Sequence, residues 1–438
     1  MIIFTHHTGD PHGILGAQVA ATYLDRKLSI PSIVVGVERQ FSKERLLALT
    51  EEHYEGKEKL VAFSHLCGRK DLLDLARELK QKGFVTMLGG PQAREDCNGE
   101  PDSDLHPHRF RGLKSVMDIA FQGPVDQLKR ADLKAESGLL DYPWTKNLFL
   151  EVDWSNIYTF SDMLKKLVVQ LGQVLNAVGC PYACKARTVT LPPPTTLREK
   201  GIRDLEVRSE GCVFCDVSWD KGYHGLVDRD NMMAQIAGLP ELAGRKIPFE
   251  LIDEYPIRSL GPMIEGCERE GIKLSQINLV CRVDDVNTHS SDLEEVLNLA
   301  RIQDVKIMFA SIGFESFSDR LLDYFCKGIT VADIVACVET LRRLKERFGK
   351  HLLYRRDEGA NHGFIHPTPW DDPDTTRETD TTLFLHRFIE DIVPQHSTPL
   401  IIHHASYLGD WIRQIESRAG VTFSRDGTWI EWWNPSLT

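Results

Sequence analysis

The chain has 438 residues, 42% of them hydrophobic and 26% charged, with a formal net charge of -12 at pH 7. This length exceeds one ordinary core and predicts two or three domains of soluble globular type. The acidic balance argues against a nucleic-acid binder, whose affinity is built from Lys and Arg neutralising phosphates, and no apolar run reaches the length that spans a bilayer. Met1-Ile2-Ile3-Phe4 lacks the basic and apolar regions of a signal peptide, so a cytoplasmic location is expected. In that compartment ten cysteines are ligands or buried thiols rather than disulfides, and Cys267, Cys281, Cys326 and Cys337 read as small buried hydrophobes.

Residues 1–130 alternate short apolar runs with helical patterns. Strands are expected at Ile2–Phe4, Ser32–Val37, Leu60–Phe63, Phe84–Leu88 and Val116–Phe121, and helices at Ile14–Leu24, Lys43–Glu52 and Asp71–Lys82. In the last of these helices Leu72, Leu75, Ala76 and Leu79 share one face. The alternation predicts a doubly wound parallel sheet, whose ligands bind beyond the carboxyl ends of its strands. The loops there are Gly9-Asp10-Pro11-His12-Gly13-Ile14-Leu15-Gly16, Ser64-His65-Leu66-Cys67-Gly68 and Gly89-Gly90-Pro91. No Gly-x-Gly-x-x-Gly follows the first strand, which lowers the dinucleotide option.

These loops resemble the cobalamin-binding domain of methionine synthase and its relatives, over most of residues 1–130. In that family an Asp-x-His-x-x-Gly loop opens the first helix, a serine ends the third strand and a Gly-Gly pair follows the fourth. The resemblance implies cobalamin contacts at Asp10, His12, Ser64, Gly89 and Gly90. The first loop departs from the pattern: Asp10-x-His12-x-x-x-Gly16 is one residue too long. His12 is therefore either a cobalt ligand oriented by Asp10 or a loop residue beside the cofactor.

Residues 131–200 are expected to hold a linker, Ala131 to Thr145, then a helix from about Ser161 to Val178. That helix carries an apolar stripe of Leu164, Leu167, Val168, Leu171, Val174 and Leu175. A loop from Thr190 to Lys200 follows, since Pro192-Pro193-Pro194 removes backbone donors. Cys180-Pro181-Tyr182-Ala183-Cys184 precedes that loop and Cys212-Val213-Phe214-Cys215 follows it. Two close pairs of thiols signal a metal centre: zinc held by Cys180, Cys184, Cys212 and Cys215, or an iron-sulfur cluster held by three of them with one iron open.

Residues 201–410 again alternate. Strands are expected at Leu205–Arg208, Phe249–Ile252, Ile277–Arg282, Lys306–Phe309, Gly363–His366 and Leu400–His404, and helices at Asn231–Ile236, Asp292–Ala300, Ser318–Phe325, Ala332–Glu346 and Thr379–Ile392. This predicts a partial or full β/α barrel with its chemistry at the carboxyl ends of the strands. There lie Asp253, Glu254, Arg282, Asp284, Gly313, Glu315, Ser316 and His366, a set suited to a zwitterionic ligand. Residues 411–438 are expected to form a cap, with a hairpin from Thr422 to Trp433 turning at Asp426-Gly427.

Ser209-Glu210-Gly211-Cys212-Val213-Phe214-Cys215-Asp216, Gly313-Phe314-Glu315-Ser316 and Cys326-Lys327-Gly328 resemble segments of the radical S-adenosyl-L-methionine (SAM) superfamily. The resemblance covers about residues 200–410 and implies a 4Fe-4S cluster and SAM as cofactors, with Glu254, Arg282, Glu315 and Ser316 as SAM contacts. The usual Cys-x-x-x-Cys-x-x-Cys is split here, with Arg187 in the third position after Cys180 and Cys184. The third cluster ligand must come across the proline-rich loop, from Cys184 or Cys180.

A cobalamin-like domain ahead of a radical-SAM-like domain resembles the cobalamin-dependent radical SAM group. It implies methylation of an unactivated carbon of a small-molecule or peptide substrate by way of methylcobalamin, with an electron donor such as ferredoxin or flavodoxin. The alternatives are a radical rearrangement or cyclisation, and a cobalamin- or zinc-binding sensor without catalysis. Trp219, Tyr223, His224, Trp370, His403 and His404 are candidates to face a cavity, with packing as the rival role, which is also the role expected of Trp429, Trp432 and Trp433.

Overall fold

The structure, a computed structural model, describes residues 1–438 apart from 65–67, 146, 185, 216–221, 395 and 438; the side chains of 184, 199, 200, 434 and 437 also lie outside the description. The expectations for Trp219, Asp216 and residues 65–67 fall on undescribed residues, and the Cys184 side chain is likewise undescribed. The chain forms two compact units. The first is Met1–Gly172 with His403–Ala405 and Ser424–Glu431; the second is Gln173–Ile402, Ser406–Phe423 and Trp432–Thr438.

The first unit is built on β1 (Ile2–His6), β2 (Ile33–Val37), β3 (Leu60–Ser64), β4 (Val85–Gly89), β5 (Ile119–Gln122), β6 (Gly138–Asp141), β7 (Ile157–Phe160) and β8 (Leu164–Lys166). Their order is β6-β5-β4-β3-β1-β2-β7-β8, with every neighbouring pair parallel except the antiparallel β7–β8 pair. Strands such as Ile2-Ile3-Phe4 and Leu60-Val61-Ala62-Phe63 are apolar without alternation because helices cover both faces. On the Lys70–Gln81 helix Leu72, Leu75, Ala76 and Leu79 are wholly buried, as their spacing predicts. The sheet grows outward from β1 in opposite directions through β2 and β3, so its topological switch point lies between β1 and β3.

Two expectations fail in the connection. The linker Ala131–Thr145 contains β6, which pairs in parallel with β5, and the first unit runs on to Gly172 rather than ending near 130. The helix at Ser161–Val178 is absent; its place is taken by β8, β9 (Gly172–Leu175) and β10 (Ala177–Gly179). Leu164 and Val168 of the supposed stripe are exposed. The β-branched pair Val168-Val169 and Gly172 weaken helix, and Val174 is buried on a strand instead.

In the second unit β9 is an edge of the sheet β19-β18-β17-β16-β9, formed by β16 (Phe249–Ile252), β17 (Gln276–Arg282), β18 (Lys306–Glu315) and β19 (Leu352–Leu353), with β20 (Gly363–Phe364) also on β18. This is the partial barrel, an open sheet among the described strands. The strand at Leu205 is not part of it. β12 (Leu205–Glu210) pairs antiparallel with β11 (Ala186–Leu191), from Ala186↔Glu210 to Leu191↔Leu205. The alternation of β12, with Leu205, Val207 and Ser209 buried and Glu206 and Arg208 exposed, is that of a strand covered on one face only.

The remaining pieces are small. β13 (Tyr223–Leu226) pairs with β10, and β14 (Glu241–Leu242) with β15 (Arg245–Lys246). Leu400–His404 does not extend the parallel sheet: only Ile402–His403 is strand (β21), ordered β21-β23-β22 with β22 (Val421–Asp426) and β23 (Trp429–Leu437). The hairpin about Asp426-Gly427 is present, but 411–438 is no separate cap, since its residues are shared between the two units.

Candidate functional site

In the second unit β9 and β10 lead directly to Cys180. Gly179 has φ +85, and a Cβ there would lie 1.5 Å from the Gly222 carbonyl oxygen, so only glycine lets the chain pass into the cysteine loop. Cys180 and Cys212 are buried and Cys215 half-buried. The two cysteine segments, 28 residues apart from Cys184 to Cys212 in sequence, are brought together by the β11–β12 hairpin. At its base a Cβ on Gly211 would lie 3.3 Å from the Ala183 Cα.

Arg187 occupies the place of the missing third cysteine and ties these loops. Its Nη2 donates to the Gly211 carbonyl at 2.9 Å, the Cys326 carbonyl at 2.7 Å and the Tyr182 hydroxyl at 3.0 Å. Tyr182 in turn donates to the Cys326 carbonyl at 2.9 Å.

Arg282, at the end of β17, is the hub. It is 4% exposed, donates through Nε to Asp284 (2.8 Å) and Tyr255 (3.0 Å) and through Nη2 to the Lys327 carbonyl (2.6 Å), and places Nη1 3.5 Å from Cys212 Sγ. Its guanidinium carbon lies 4.0 Å from the centre of the Tyr182 ring. Burial works against this charge, but Cys212, Asp284 and Tyr255 outweigh it and hold Arg282 above its ordinary value. Burial, followed by Glu254, pushes the Cys180 thiol up to about 11, while Arg282 opposes the rise. A buried cation beside the sulfurs suits an anionic metal-sulfur group.

Glu315 ends β18 at φ +63 and is paired with buried Lys327 at 2.8 Å. Burial alone would lower Lys327; Glu315 and then Cys212 reverse it, so its value is raised. A Cβ on Gly313 would meet both partners at 2.5 and 2.6 Å. Ser316 is buried, and its hydroxyl accepts from the Ser318 N–H at 3.2 Å. Glu254 is half-buried within electrostatic range of Cys180. Around Cys212 the structure thus gathers Cys180, Arg282, Lys327 and Glu315. Sequence reasoning assigned no role to Tyr182, Arg187 or Tyr255 in the site; Tyr182 and Arg187 lay in view around the first cysteine pair.

The cavity candidates fare differently. Trp370 is wholly buried, donating to the Pro192 carbonyl at 3.0 Å and packed on Tyr324, Phe325 and Trp411, a core residue. His366 pairs with Asp371 at 3.2 Å, and Tyr223 is exposed. Trp432 is buried and Trp433 exposed. His403 and His404 belong to the first unit, where both face Asp96.

At the carboxyl edge of the first unit's sheet, Gly36, Thr5, Ser64, Gly89 and Phe121 stand in register across β2, β1, β3, β4 and β5. Of the residues expected around cobalamin, Ser64 borders the switch point and Gly89 stands beside it on the next strand. Gly90 has φ +134, and a Cβ on Gly89 or Gly16 would meet nothing within 4 Å, leaving that edge open to a bulky ligand. The Trp429 indole lies over Gly68, where a Cβ would be 2.3 Å from it.

The first loop corrects one pairing. Asp10 is exposed and accepts from the Thr8 hydroxyl at 2.9 Å; the group against His12 is His7, with ring centroids 4.4 Å apart and planes 10° from parallel. His7 Nε2 lies 3.1 Å from the His12 carbonyl oxygen. Burial, then His7, lowers His12 against the pull of Asp10, which keeps its imidazole neutral at pH 7, the form that ligates metals. On this geometry the described residues fit a corrin at one site and a thiolate-bound cluster at the other.

No protein-family model matches the chain, and no curated protein matches it in sequence. Solved structures do. The fold is similar to that of OxsB, a cobalamin-dependent S-adenosylmethionine radical enzyme. OxsB with aqua-cobalamin and S-adenosylmethionine bound matches with a TM-score of 0.55 at 13% identity, covering 100% of this chain and 64% of OxsB. With aqua-cobalamin alone the TM-score is 0.55 at 13% identity over 98% and 64%, and the apo form gives 0.56 at 14% over 100% and 64%. The chain thus spans less than two thirds of the length of that enzyme. No described helix is long and apolar enough to cross a membrane.

Proposed function

We propose that the chain is a cobalamin-dependent radical SAM enzyme that methylates an unactivated carbon of a small-molecule or peptide substrate and draws electrons from a partner such as ferredoxin or flavodoxin. The observation that carries this reading is the convergence of Cys180 and Cys212 on Arg282 across the β11–β12 hairpin, in a fold similar to that of OxsB. When bound, the cofactors supply reductive cleavage of a sulfonium and cobalt-carbon bond chemistry.

The protein's own residues hold, orient and shield. Cys212 and Cys215 with Cys180 or Cys184 would hold the 4Fe-4S cluster. Arg282 offsets the cost of burying negative charge beside Cys212, and Tyr182, lying under its guanidinium, covers that side. Glu315, Glu254 and Ser316 are the polar groups for SAM, with Glu315 held by Lys327. In the first unit Ser64, Gly89 and Gly90 would line the corrin's tail, and His12 stands ready as a neutral ligand.

The test is anaerobic reconstitution with iron, sulfide and cobalamin, followed by incubation with methyl-labelled SAM and candidate substrates. Expected are release of 5'-deoxyadenosine and transfer of label to a product, both lost in Cys212→Ala. Deoxyadenosine without label transfer would move the assignment to radical rearrangement or cyclisation. Tightly bound zinc at the cysteines with no SAM turnover would overturn it.

A further inference from the structure

Asp96, His403 and His404 form a cluster that the proposed reaction does not use. All three are buried, at 2%, 2% and 1% exposure. Both imidazoles reach the same carboxylate oxygen: His403 Nε2 lies 3.0 Å and His404 Nε2 3.1 Å from Asp96 Oδ1. Adjacent residues on a strand point to opposite faces, so two consecutive rings meeting on one atom require a local departure. It is provided by the end of β21 at His403 and the turn after it, where the His404 N–H donates to the Thr428 carbonyl at 2.9 Å.

The nearby Glu100 carboxylate is matched by Arg425, with two contacts of 2.8 Å. The Phe110 ring packs on His404 at 4.7 Å and brings no charge. The Asp96 carboxylate faces the two imidazoles.

We propose that Asp96, His403 and His404 are ligands of a structural divalent metal ion of the zinc class, which staples the Ala93–Asn98 helix to the returning His403–Ala405 segment. Ligand atoms about 2.1 Å from a tetrahedral zinc stand roughly 3.4 Å from one another, a few tenths beyond the two imidazole–carboxylate separations seen here. Two imidazoles and one carboxylate suit zinc and its transition-metal neighbours better than magnesium or calcium, which take oxygen ligands. Coordination through Nε2 moves each ring's proton to Nδ1, so the 3.3 Å contact from the Ala405 N–H to His403 Nδ1 must open.

The experiment uses the full chain, purified with and without added zinc, and measures metal content, X-ray absorption at the zinc edge and thermal midpoint. Wild type is expected to hold about one zinc with a first shell of nitrogen and oxygen only, and to melt higher with zinc than with magnesium. Asp96→Asn keeps an acceptor oxygen for both rings but weakens a metal site, so it should lose that zinc and the zinc-dependent rise while staying folded. His404→Gln is the second variant, and should lose the same equivalent. Equal zinc in wild type and Asp96→Asn, a sulfur-only shell, or a midpoint indifferent to zinc would overturn the proposal and leave a hydrogen-bonded knot. The readouts are independent of SAM turnover.

Discussion

Arg187 shows how a single position can mislead a motif. In the linear pattern it is a missing ligand; in the structure its guanidinium draws the Gly211 and Cys326 carbonyls toward Tyr182. Installing a cysteine would complete the familiar spacing and remove the tie. Arg187→Cys is therefore expected to retain less iron than wild type after reconstitution, and to be destabilised by about 2 kcal/mol, the scale of a charge-assisted hydrogen bond. Iron analysis and urea melts check this; unchanged or higher iron content would show that the tie is dispensable. Glu315 and Arg282 were legible as strand-end charges. Lys327 was visible only as part of a segment, because nothing in its neighbours announces that a lysine 12 residues on will fold back onto Glu315.

Among the elements, long apolar runs were readable and short ones were not. Helices such as Lys70–Gln81 and Val331–Phe348 carry several turns of periodic apolar residues, so packing and pattern agree. Residues 161–178 offered the same spacing, but the exposed Leu164 and Val168 gain nothing from it, and strand pairing took the segment instead. With no strand expected at β9, the predicted Leu205 strand stands in the place that Gly172–Leu175 holds in the second sheet. The helix Val283–Thr288 after β17 carries a prediction of its own. Its Asp285 side chain is fully buried and accepts from the Ile257 N–H at 3.2 Å; burial, with Asp253 and Asp284 nearby, pushes its carboxyl up to about 7. The folded state thus keeps a proton that the unfolded chain loses near pH 4, and stability falls as pH rises from about 4 to about 7. Asp285→Asn keeps the acceptor without the charge. It is expected to flatten this slope and to gain about 2 kcal/mol over wild type near pH 7.5, as measured by urea denaturation across pH. A wild-type slope of the opposite sign would refute it.

For the whole molecule, the chain does not divide at one cut. The first unit takes in His403–Ala405 and Ser424–Glu431, which supply His403 and His404 to Asp96 and Arg425 to Glu100. A fragment of residues 1–172 keeps both buried carboxylates and loses the His403, His404 and Arg425 side chains that contact them. It is expected to melt well below the full chain and without a single cooperative transition, since losing one member of a buried ion pair costs about 3–5 kcal/mol. Calorimetry of the fragment beside the full chain decides this, and matching midpoints would show the fragment to be self-sufficient. The composition was enough to expect more than one domain, but not a return of the chain 230 residues later, because such a crossing leaves no mark on local pattern.

The hairpin between the cysteine segments has a wider reach. Because β11 and β12 stay in step from Ala186↔Glu210 to Leu191↔Leu205, the arc beyond Leu191 can grow or shrink without shifting what stands at its foot. Linear distance between the sulfurs is thereby uncoupled from their separation in space. A constellation of this kind can outlast the erosion of its own signature, and a search by spatial neighbourhood will find members that string matching passes over.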